Sequence, residues 1–366
     1  MRILFVLENH YPNIGGVETL FKGLTEHLVS SGHEVTILTN KFDKRLASEE
    51  VLNGVLIKRV PFYNRYLFTL FAFFPAWKLA WKNDLIHTTS YNAGVPAFFA
   101  GLFSRTKVII TFHEVWGGLW FELPFMGKAS ALLHYLFEQF LLRLPFTKFV
   151  AVSDSTLDSL HAAGLSEKKL VRIFNGVVYD EPERPAEQRE QSKRPYAFLY
   201  FGRLGISKGL DLLMEAVRIT KGRGYEFLLH LVIPKEPKPF HDKIRSLISE
   251  LDIEDRVSVQ SELKRKVLED LIVDSDAVVI PSYSEGFCFT AVESITLGTP
   301  VISSGRGSLS EVVTGQHIVM KEHTALGLAQ AMERALAEDW DHEPVRKFPL
   351  DISISEYETL YHSILN

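Results

Sequence analysis

A chain of 366 residues with 46% hydrophobic content is long enough for two packed domains. Its net charge of −5 is atypical of a nucleic-acid-binding protein, which is usually basic. The single cysteine, Cys288, excludes an internal disulfide and a cysteine-rich metal site, and it suits a reducing compartment. No apolar run is long enough to span a bilayer, and the first apolar run is too short for a signal peptide. We therefore expect a cytoplasmic protein, with contact to the inner face of the membrane as a further expectation.

The N-terminal half alternates predicted strands with predicted helices. Short apolar, β-branched runs predict strands at residues 3–7, 34–39, 55–60, 84–88, 107–111 and 148–153. Helical patterns occupy residues 17–31, 62–81 and 132–144. Strands separated by helices indicate a parallel sheet that is covered on both faces.

The C-terminal half repeats this alternation after a segment rich in Glu, Arg, Pro and Gln, which predicts a linker. Its predicted strands are 196–201, 227–233, 257–259, 277–280 and 301–303, and its predicted helices are 242–251, 267–273, 291–297 and 325–337. Residues 351–365 predict a last, amphipathic helix whose apolar face carries Ile354, Tyr357, Leu360, Tyr361 and Ile364. The predicted organisation is an N-terminal domain at 1–177, a linker at 178–195, a second domain at 196–345 and a crossover segment at 346–366.

The most informative stretch runs from Pro281 to Glu293, directly after a predicted buried strand and into a predicted helix. The turn would present backbone N–H groups at the start of that helix, which is a ready site for an anion such as a diphosphate. Glu285 and Glu293 lie eight positions apart, so both carboxylates can face one pocket. A plainer interpretation also fits, in which Thr290 and Glu293 form a capping box for their own helix.

Two further turns follow predicted strands. Gly15-Gly16 comes after the first strand, at the sheet edge where open α/β folds bind ligands, but it is not the GxGxxG pattern of a nicotinamide dehydrogenase. Arg203 and Lys208 stand among glycines after the strand at 196–201, and both side chains suit phosphate. Without other motifs, a tight turn and a solvated pair of cations would be the default interpretations.

The order of these motifs resembles the retaining glycosyltransferases of family 4. The hallmark of that family, a Glu followed by seven residues and a second Glu, stands here as Glu285 to Glu293 after Pro281-Ser282. A second hallmark is the segment from Phe201 to Gly209, and the resemblance extends over nearly the whole chain. It implies an α/β protein with the GT-B fold, in which two Rossmann-like domains face each other across a cleft and a C-terminal helix crosses back to the N-terminal domain.

The resemblance also implies roles for individual residues. The diphosphate would be bound by Arg203, Lys208 and the backbone of the turn, and the ribose by Glu293; the sugar would be contacted by Glu285 and by His113, which ends the strand at 107–111. The predicted catalytic residues are therefore His113, Arg203, Lys208 and Glu285. The predicted donor-binding residues are Gly15, Gly16, Arg203, Lys208, Gly286, Phe287, Cys288, Phe289, Thr290 and Glu293. No metal and no cofactor are expected, and no covalent nucleophile is required in a front-face substitution.

The chain also departs from the family pattern. Glu114 follows His113 where the family commonly has Asp, and the Gly-x-Gly-Pro loop of the family is replaced by the charged, proline-rich residues 233–239. Ser261 stands where the family tends to have Gly. The last two positions lie near the base in family members, so the nucleotide is left open.

Aromatic residues crowd two stretches, 61–81 and 116–146. They could pack as core helices, or they could form a surface for a membrane or a lipid-linked acceptor, with Arg65, Lys78 and Lys82 at its edges. We expect transfer of a sugar from a nucleotide-diphosphate sugar to a glycan or lipid-linked acceptor, with peripheral membrane contact and no nucleic-acid partner. The alternatives are a nucleotide-sugar epimerase and a non-catalytic nucleotide-sugar-binding protein.

Overall fold

The computed structural model describes residues 1–13, 15–179, 195–261 and 263–366, so most of the predicted linker lies outside the described residues. The described residues form two units. The first unit comprises Met1–Trp120, Ala129–Val178 and Phe348–Asn366, and the second comprises Phe121–Lys128 and the described part of Tyr179–Lys347.

The first unit is built on a sheet of eight strands among its described residues, in the order β3-β4-β2-β1-β5-β6-β7-β8. The strands are β1 (Arg2–Leu7), β2 (Glu34–Asn40), β3 (Glu49–Leu52), β4 (Val55–Val60), β5 (Leu85–Thr89), β6 (Lys107–Phe112), β7 (Lys148–Ala151) and β8 (Leu170–Arg172). All neighbours pair in parallel except β3 and β4, which are antiparallel. Strand β1 is central, and Ile3, Leu4, Phe5 and Val6 are fully buried, as expected for a strand covered on both faces.

Helices cover both faces of this sheet. They are α1 (Gly16–Ser30), α2 (Arg65–Phe71), α3 (Phe73–Ala80), α4 (Gly94–Ser104), α5 (Lys128–Arg143) and α6 (Asp154–Ala162). One face packs against α2, α3 and α4 through a core that includes Phe68, Phe98 and Phe112. The other packs against α1 and against the last helix of the chain, which begins at Leu350 and ends at Leu365.

The second unit has its own sheet, of seven strands within the described residues, in the order β11-β10-β9-β12-β13-β14-β15. The strands are β9 (Tyr196–Phe201), β10 (Phe227–Val232), β11 (Val257–Gln260), β12 (Ala277–Ile280), β13 (Val301–Ser303), β14 (Gly315–Val319) and β15 (Asp341–Glu343). The pairing is parallel except between β14 and β15. Its helices are α7 (Leu210–Gly222), α8 (Lys238–Glu250), α9 (Arg265–Asp274), α10 (Phe289–Thr296), α11 (Leu309–Val312) and α12 (Ala325–Leu336).

The last helix, α13 (Leu350–Leu365), follows the second unit in sequence and belongs to the first. All five residues predicted on its apolar face are buried: Ile354, Tyr357, Leu360, Tyr361 and Ile364. The prediction that the terminal helix returns to the N-terminal domain is therefore confirmed.

The predicted single helix over residues 62–81 is wrong in one respect, because Ala72 separates two helices, α2 and α3. Asn64 caps α2, since its side chain accepts hydrogen bonds from the backbone N–H groups of Tyr66 and Leu67. The buried stripe consists of Phe68, Ala72, Ala76 and Ala80 at intervals of four residues. This stripe is narrow, so the larger aromatic and aliphatic side chains on the opposite face are left at the surface.

In the part of the chain that the structure describes, no helix combines the length and the apolar character needed to cross a membrane.

Candidate active site

The loop between β9 and α7 brings Lys208 to Glu285. The Lys208 ammonium donates hydrogen bonds to both carboxylate oxygens of Glu285, at 2.7 and 2.9 Å. The ion pair is largely removed from water, because the Glu285 side chain is only 9% exposed and the Lys208 side chain 21% exposed. Two residues predicted from different motifs are thus direct neighbours in space.

The backbone makes this approach possible at Gly209. This residue has a left-handed conformation with φ of +68°, and a Cβ atom there would collide with the carbonyl oxygen of Pro281. Tyr283 N–H also donates to the carbonyl oxygen of Ser207, at 2.7 Å. The β9–α7 loop and the turn after β12 are therefore held against each other, which explains a glycine at position 209.

Glu285 has a second partner that the sequence analysis missed. The Ser282 hydroxyl donates to the same carboxylate at 2.7 Å, and Ser282 is almost fully buried. Burial, together with the nearby Glu285 charge, raises the pKa of the Tyr200 hydroxyl far above its ordinary value, so this phenol stays protonated. The spacing of Ser282 and Glu285 in one tight turn is a signal that could have identified the serine.

Glu293 has different surroundings from Glu285. It lies on α10, and its carboxylate accepts a hydrogen bond from the Arg265 guanidinium at 2.9 Å; Arg265 in turn binds Glu269 at 2.6 Å. The capping-box interpretation is wrong, because the cap residue of α10 is Cys288 and no side chain caps the helix. Arg265 was also missed, and no local sequence pattern links it to a carboxylate on another helix.

Arg203 and the turn residues complete the predicted donor side in the second unit. Arg203 is exposed, and within the described residues its guanidinium forms no ion pair or hydrogen bond. Cys288 has a left-handed conformation with φ of +60° and precedes α10 as its cap residue. The backbone N–H groups at the predicted positions Phe289 and Thr290 therefore belong to the first turn of a helix. Gly286, Phe287 and Cys288 are buried in the turn.

The remaining predicted residues lie in the first unit. Gly15 is the cap residue of α1, and Gly16 is its first residue. The Glu18 carboxylate folds back over Gly15, where a Cβ atom would collide with it, and it accepts a hydrogen bond from Asn13 at 3.3 Å. His113 follows β6, and its ring lies edge-on to Phe21 with centroids 6.4 Å apart.

The loop after His113 is organised by a buried carboxylate that the sequence analysis missed. Glu138 on α5 is fully buried and accepts three hydrogen bonds, from the Tyr91 hydroxyl at 2.9 Å and from the backbone N–H groups of Trp116 and Gly117 at 2.8 and 2.7 Å. These three donors replace the hydrogen bonds to water that the carboxylate loses when it is buried. Glu138 therefore fixes the path of the chain immediately after the predicted sugar-binding histidine.

Family comparison agrees with this architecture. Residues 14–181 match the model for Glycosyltransferase Family 4, and residues 182–348 match the model for Glycosyl transferases group 1. The chain belongs to glycosyltransferase family 4. It is a glycosyltransferase that uses a nucleotide sugar, so the predicted family and enzyme class are confirmed.

The curated relatives include enzymes that act on lipids. The GPI3 subunit of phosphatidylinositol N-acetylglucosaminyltransferase from Saccharomyces cerevisiae is 23% identical over 350 residues, which cover 91% of this chain and 75% of the relative. The alpha-monoglucosyldiacylglycerol synthase of Streptococcus pneumoniae is 24% identical over 365 residues, which cover 92% of this chain and 78% of the relative.

Solved structures show the same GT-B fold. Sucrose-phosphate synthase from Thermosynechococcus elongatus matches with a TM-score of 0.81 at 20% identity, covering 99% of this chain and 98% of the other. Anabaena HepE in complex with UDP-glucose matches with a TM-score of 0.68 at 18% identity, covering 99% of this chain and 100% of the other. The predicted fold class is confirmed.

Proposed function

We propose that this glycosyltransferase moves a sugar, with retention of anomeric configuration, from a nucleotide-diphosphate sugar to the hydroxyl of a lipid or lipid-linked glycan at a membrane surface. The observation that carries the acceptor class is an exposed apolar face on α2 and α3. The lipid substrates named for two curated relatives support the same class.

The exposed apolar face, as we call it, lies opposite the buried stripe of α2 and α3. Its members are Tyr66, Leu67, Leu70, Phe71, Phe74 and Trp81, each between 43% and 67% exposed. Phe73 links α3 to Phe103 near the end of α4, with ring centroids 5.7 Å apart, and Phe103 is itself 57% exposed. Burying such side chains at the headgroup boundary releases their contact with water, so the face suits a bilayer surface.

The edges of this face carry cations. Arg65 begins α2 and pairs with the Glu8 carboxylate at 2.9 Å, whereas Lys78 lies in the last turn of α3 and Lys82 lies two residues after its end. Basic residues beside an apolar face add attraction to anionic lipid, at about 1 kcal/mol each near the surface. The chain as a whole has a net charge of −5, so attraction to anionic lipid would have to come from this local arrangement.

Residues 116–126, the part of the second aromatic stretch that we also expected to meet the acceptor, contribute less to such a surface. Trp120 is 94% buried and stacks on His134 with centroids 4.8 Å apart, while Phe125 lies edge-on to Phe240 at 5.7 Å. Phe121 and Phe125 are still about half exposed. The proposal therefore rests on α2 and α3 rather than on residues 116–126.

In the second unit, the charges suit a departing diphosphate. Arg203 and Lys208 would neutralise it, the backbone N–H groups of Phe289 and Thr290 would bind it at the start of α10, and Glu293 would hold the ribose. Glu285 would contact the sugar near the reacting carbon. The acceptor hydroxyl would attack from the face that the diphosphate leaves, so that no covalent sugar–enzyme intermediate forms. The roles of Gly15, Gly16 and His113 toward the sugar stay predictions.

Vesicle co-sedimentation tests the acceptor proposal. We expect the protein to pellet with phosphatidylcholine vesicles that contain about 30% phosphatidylglycerol, and to remain in the supernatant when Leu70, Phe71 and Phe74 are all changed to Ser. Those three are exposed, whereas Phe68 is fully buried and would disturb the core. A matched control changes Tyr225, Val267 and Val345 to Ser, since these exposed residues lie in the second unit.

Donor turnover gives a second, independent readout. We expect release of nucleoside diphosphate from one of a panel of UDP-, GDP- and ADP-sugars, faster with vesicles that contain an acceptor lipid than without them. The assignment of a lipid acceptor is wrong if the wild-type protein stays in the supernatant and its turnover is the same with and without vesicles. Donor turnover alone would still support the assignment of the second unit.

A further inference from the structure

A group of three histidines and one glutamate joins α13 to the end of α1, apart from every residue assigned above. One imidazole nitrogen each from His33 and His362 and one carboxylate oxygen of Glu358 lie within 4.8 Å of one another. His27, in the last turn of α1, brings its Nε2 atom to 3.8 Å from the second oxygen of Glu358. We propose that these side chains form a binding site for a divalent transition metal such as Zn²⁺.

The spacing of the donors fits this use. Glu358 and His362 stand four residues apart on α13, so they project from one face of the helix and can bind one ion together. His33 follows the turn at the end of α1 and faces them, with its Nε2 atom 3.0 Å from Oε1 of Glu358. Ligand atoms around a tetrahedral zinc are about 3.4 Å apart, given bond lengths of about 2.1 Å, so only small side-chain movements are needed.

The chemistry of the donors selects the ion. Imidazole nitrogens with one carboxylate suit Zn²⁺, Ni²⁺ or Cu²⁺, whereas Mg²⁺ and Ca²⁺ require a set of oxygen donors. His33 is only 11% exposed and Glu358 25% exposed, while His362 lies at the surface, so the site would be half-enclosed and reachable from solvent. The Met1 amine lies 3.2 Å from Nδ1 of His33, on the side of the ring away from Glu358.

A plainer account is a hydrogen bond between His33 and Glu358 that helps to dock α13. That account explains one pair, but not the convergence of His27 and His362 on the same carboxylate. Docking of α13 already rests on its buried apolar face. A bound ion would cross-link the start and the end of the first unit, and its binding would therefore raise the stability of that unit.

The test uses the full chain without a polyhistidine tag. We expect titration calorimetry with ZnCl₂ to show one ion per chain, and Co²⁺ to give the intense visible absorption of a tetrahedral site. Saturating Zn²⁺ should raise the unfolding temperature by about 5 °C, and Mg²⁺ should not. Glu358→Gln and His362→Gln should each weaken Zn²⁺ binding at least tenfold. Mutation of a residue that only hydrogen-bonds to a metal ligand can already weaken binding by about tenfold, and these variants remove a ligand itself.

His161→Gln is the matched control, because His161 is also exposed and also lies beside a glutamate, Glu167, at 3.6 Å. It should leave Zn²⁺ affinity and the Co²⁺ spectrum unchanged. The proposal is overturned if the wild-type chain binds no Zn²⁺, or if Glu358→Gln and His362→Gln bind it as tightly as the wild type. Loss of Zn²⁺ binding in His161→Gln would also overturn the proposal, because it would show that the ion binds at a different site.

Discussion

Glu285 is a buried carboxylate held by two donors, Lys208 and Ser282. A group of this kind is oriented in advance, and a side chain held in position loses little freedom when a ligand binds. The Lys208 ammonium contacts both carboxylate oxygens of Glu285. In the proposed reaction the same ammonium stabilises the departing diphosphate while still orienting the carboxylate that contacts the sugar.

Arg203 and Lys208 should differ in what their removal does to stability. We expect Arg203→Ala and Lys208→Ala each to lower turnover by about a hundredfold or more, because each removes a charge that the proposed mechanism assigns to the leaving group. Lys208→Ala should also destabilise the protein by about 1–3 kcal/mol, since it takes a partner from a buried carboxylate. Arg203→Ala should not, because Arg203 is exposed.

Turnover of the donor sugar and urea unfolding measure the two effects separately. Arg218→Ala is the control, since Arg218 forms an exposed ion pair with Glu215 on α7. The diphosphate assignment is wrong if both Arg203→Ala and Lys208→Ala retain near-normal turnover. Equal stability of the two variants would contradict the structural role given to Lys208.

Arg265 should act as a positioning residue for Glu293. If Glu293 holds the ribose, loss of the hydrogen bond from Arg265 frees the carboxylate, so Arg265→Ala should raise the KM for the donor about tenfold. The effect on kcat should be small, because the ribose does not take part in the bond change. Lys266→Ala is the control, since Lys266 is the next residue of α9 and pairs with Asp270. A fall in kcat at constant KM would contradict this assignment.

At the scale of elements, α13 is held by polar contacts as well as by its apolar face. The buried ring of His87 on β5 bonds the Tyr361 hydroxyl at 2.7 Å and the Thr111 hydroxyl at 2.8 Å, and Tyr357 contacts Thr111 at 3.2 Å. Burial lowers the pKa of His87 to about 3, with a further contribution from His113. The sheet and the terminal helix thus share a neutral, hydrogen-bonded histidine.

Acid should therefore weaken the fold. Burial and Arg59 likewise lower the pKa of His10, to about 4. Between these values and the ordinary histidine pKa of about 6.5 the unfolded chain binds more protons than the folded one, so stability falls as pH falls through that range. At pH 5.5 each of the two histidines should lower the free energy of unfolding by about 1.4 kcal/mol relative to its value at pH 7.5. Urea unfolding at the two pH values measures the change in the free energy of unfolding, to which both histidines contribute.

His87→Gln separates the contribution of this residue. The variant will be less stable at both pH values, but the pH-dependent difference should shrink by about 1.4 kcal/mol because glutamine does not titrate. His161→Gln, at the surface, should leave the difference as in the wild type. An unchanged difference in His87→Gln would mean that His87 is not the group that binds the proton on unfolding.

The elements that were predicted correctly have clear apolar patterns. The apolar face of α13 repeats with the period of a helix, and β1 is a continuous apolar run of the length of a buried strand. Strand β3, with the sequence Glu-Glu-Val-Leu, was missed because it is short, partly exposed and at the edge of the sheet. The break between α2 and α3 was missed because apolar residues occupy both faces there, which hides the helical period.

The candidate site shows the same limit. Lys208 and Glu285 were predicted from separate motifs, but their contact depends on two loops meeting at Gly209 and Pro281. The pairing of Arg265 with Glu293 joins two helices and leaves no local trace in the sequence. Chemistry carried by a single turn is therefore predictable, whereas partners supplied by tertiary packing are not.

At the scale of the whole molecule, the two units carry different chemistry. The second unit holds the described cations and carboxylates assigned to the donor, and the first holds the exposed apolar face and the proposed metal site. Metal dependence of stability and metal dependence of catalysis should consequently be separable, because the leaving-group charge is assigned to Arg203, Lys208 and backbone N–H groups.

Chelation tests that separation. EDTA should lower the unfolding temperature of protein loaded with Zn²⁺ by about 5 °C and leave donor turnover within about twofold of its starting value, since a transition-state interaction of any size would change the rate by more. Glu358→Gln should show neither the stabilisation by Zn²⁺ nor its reversal by EDTA, because one ligand is gone. Loss of turnover in EDTA that Mg²⁺ restores would mean that a metal shares the neutralisation of the diphosphate with Arg203 and Lys208. In that case the charge assignment in the second unit would have to include an ion.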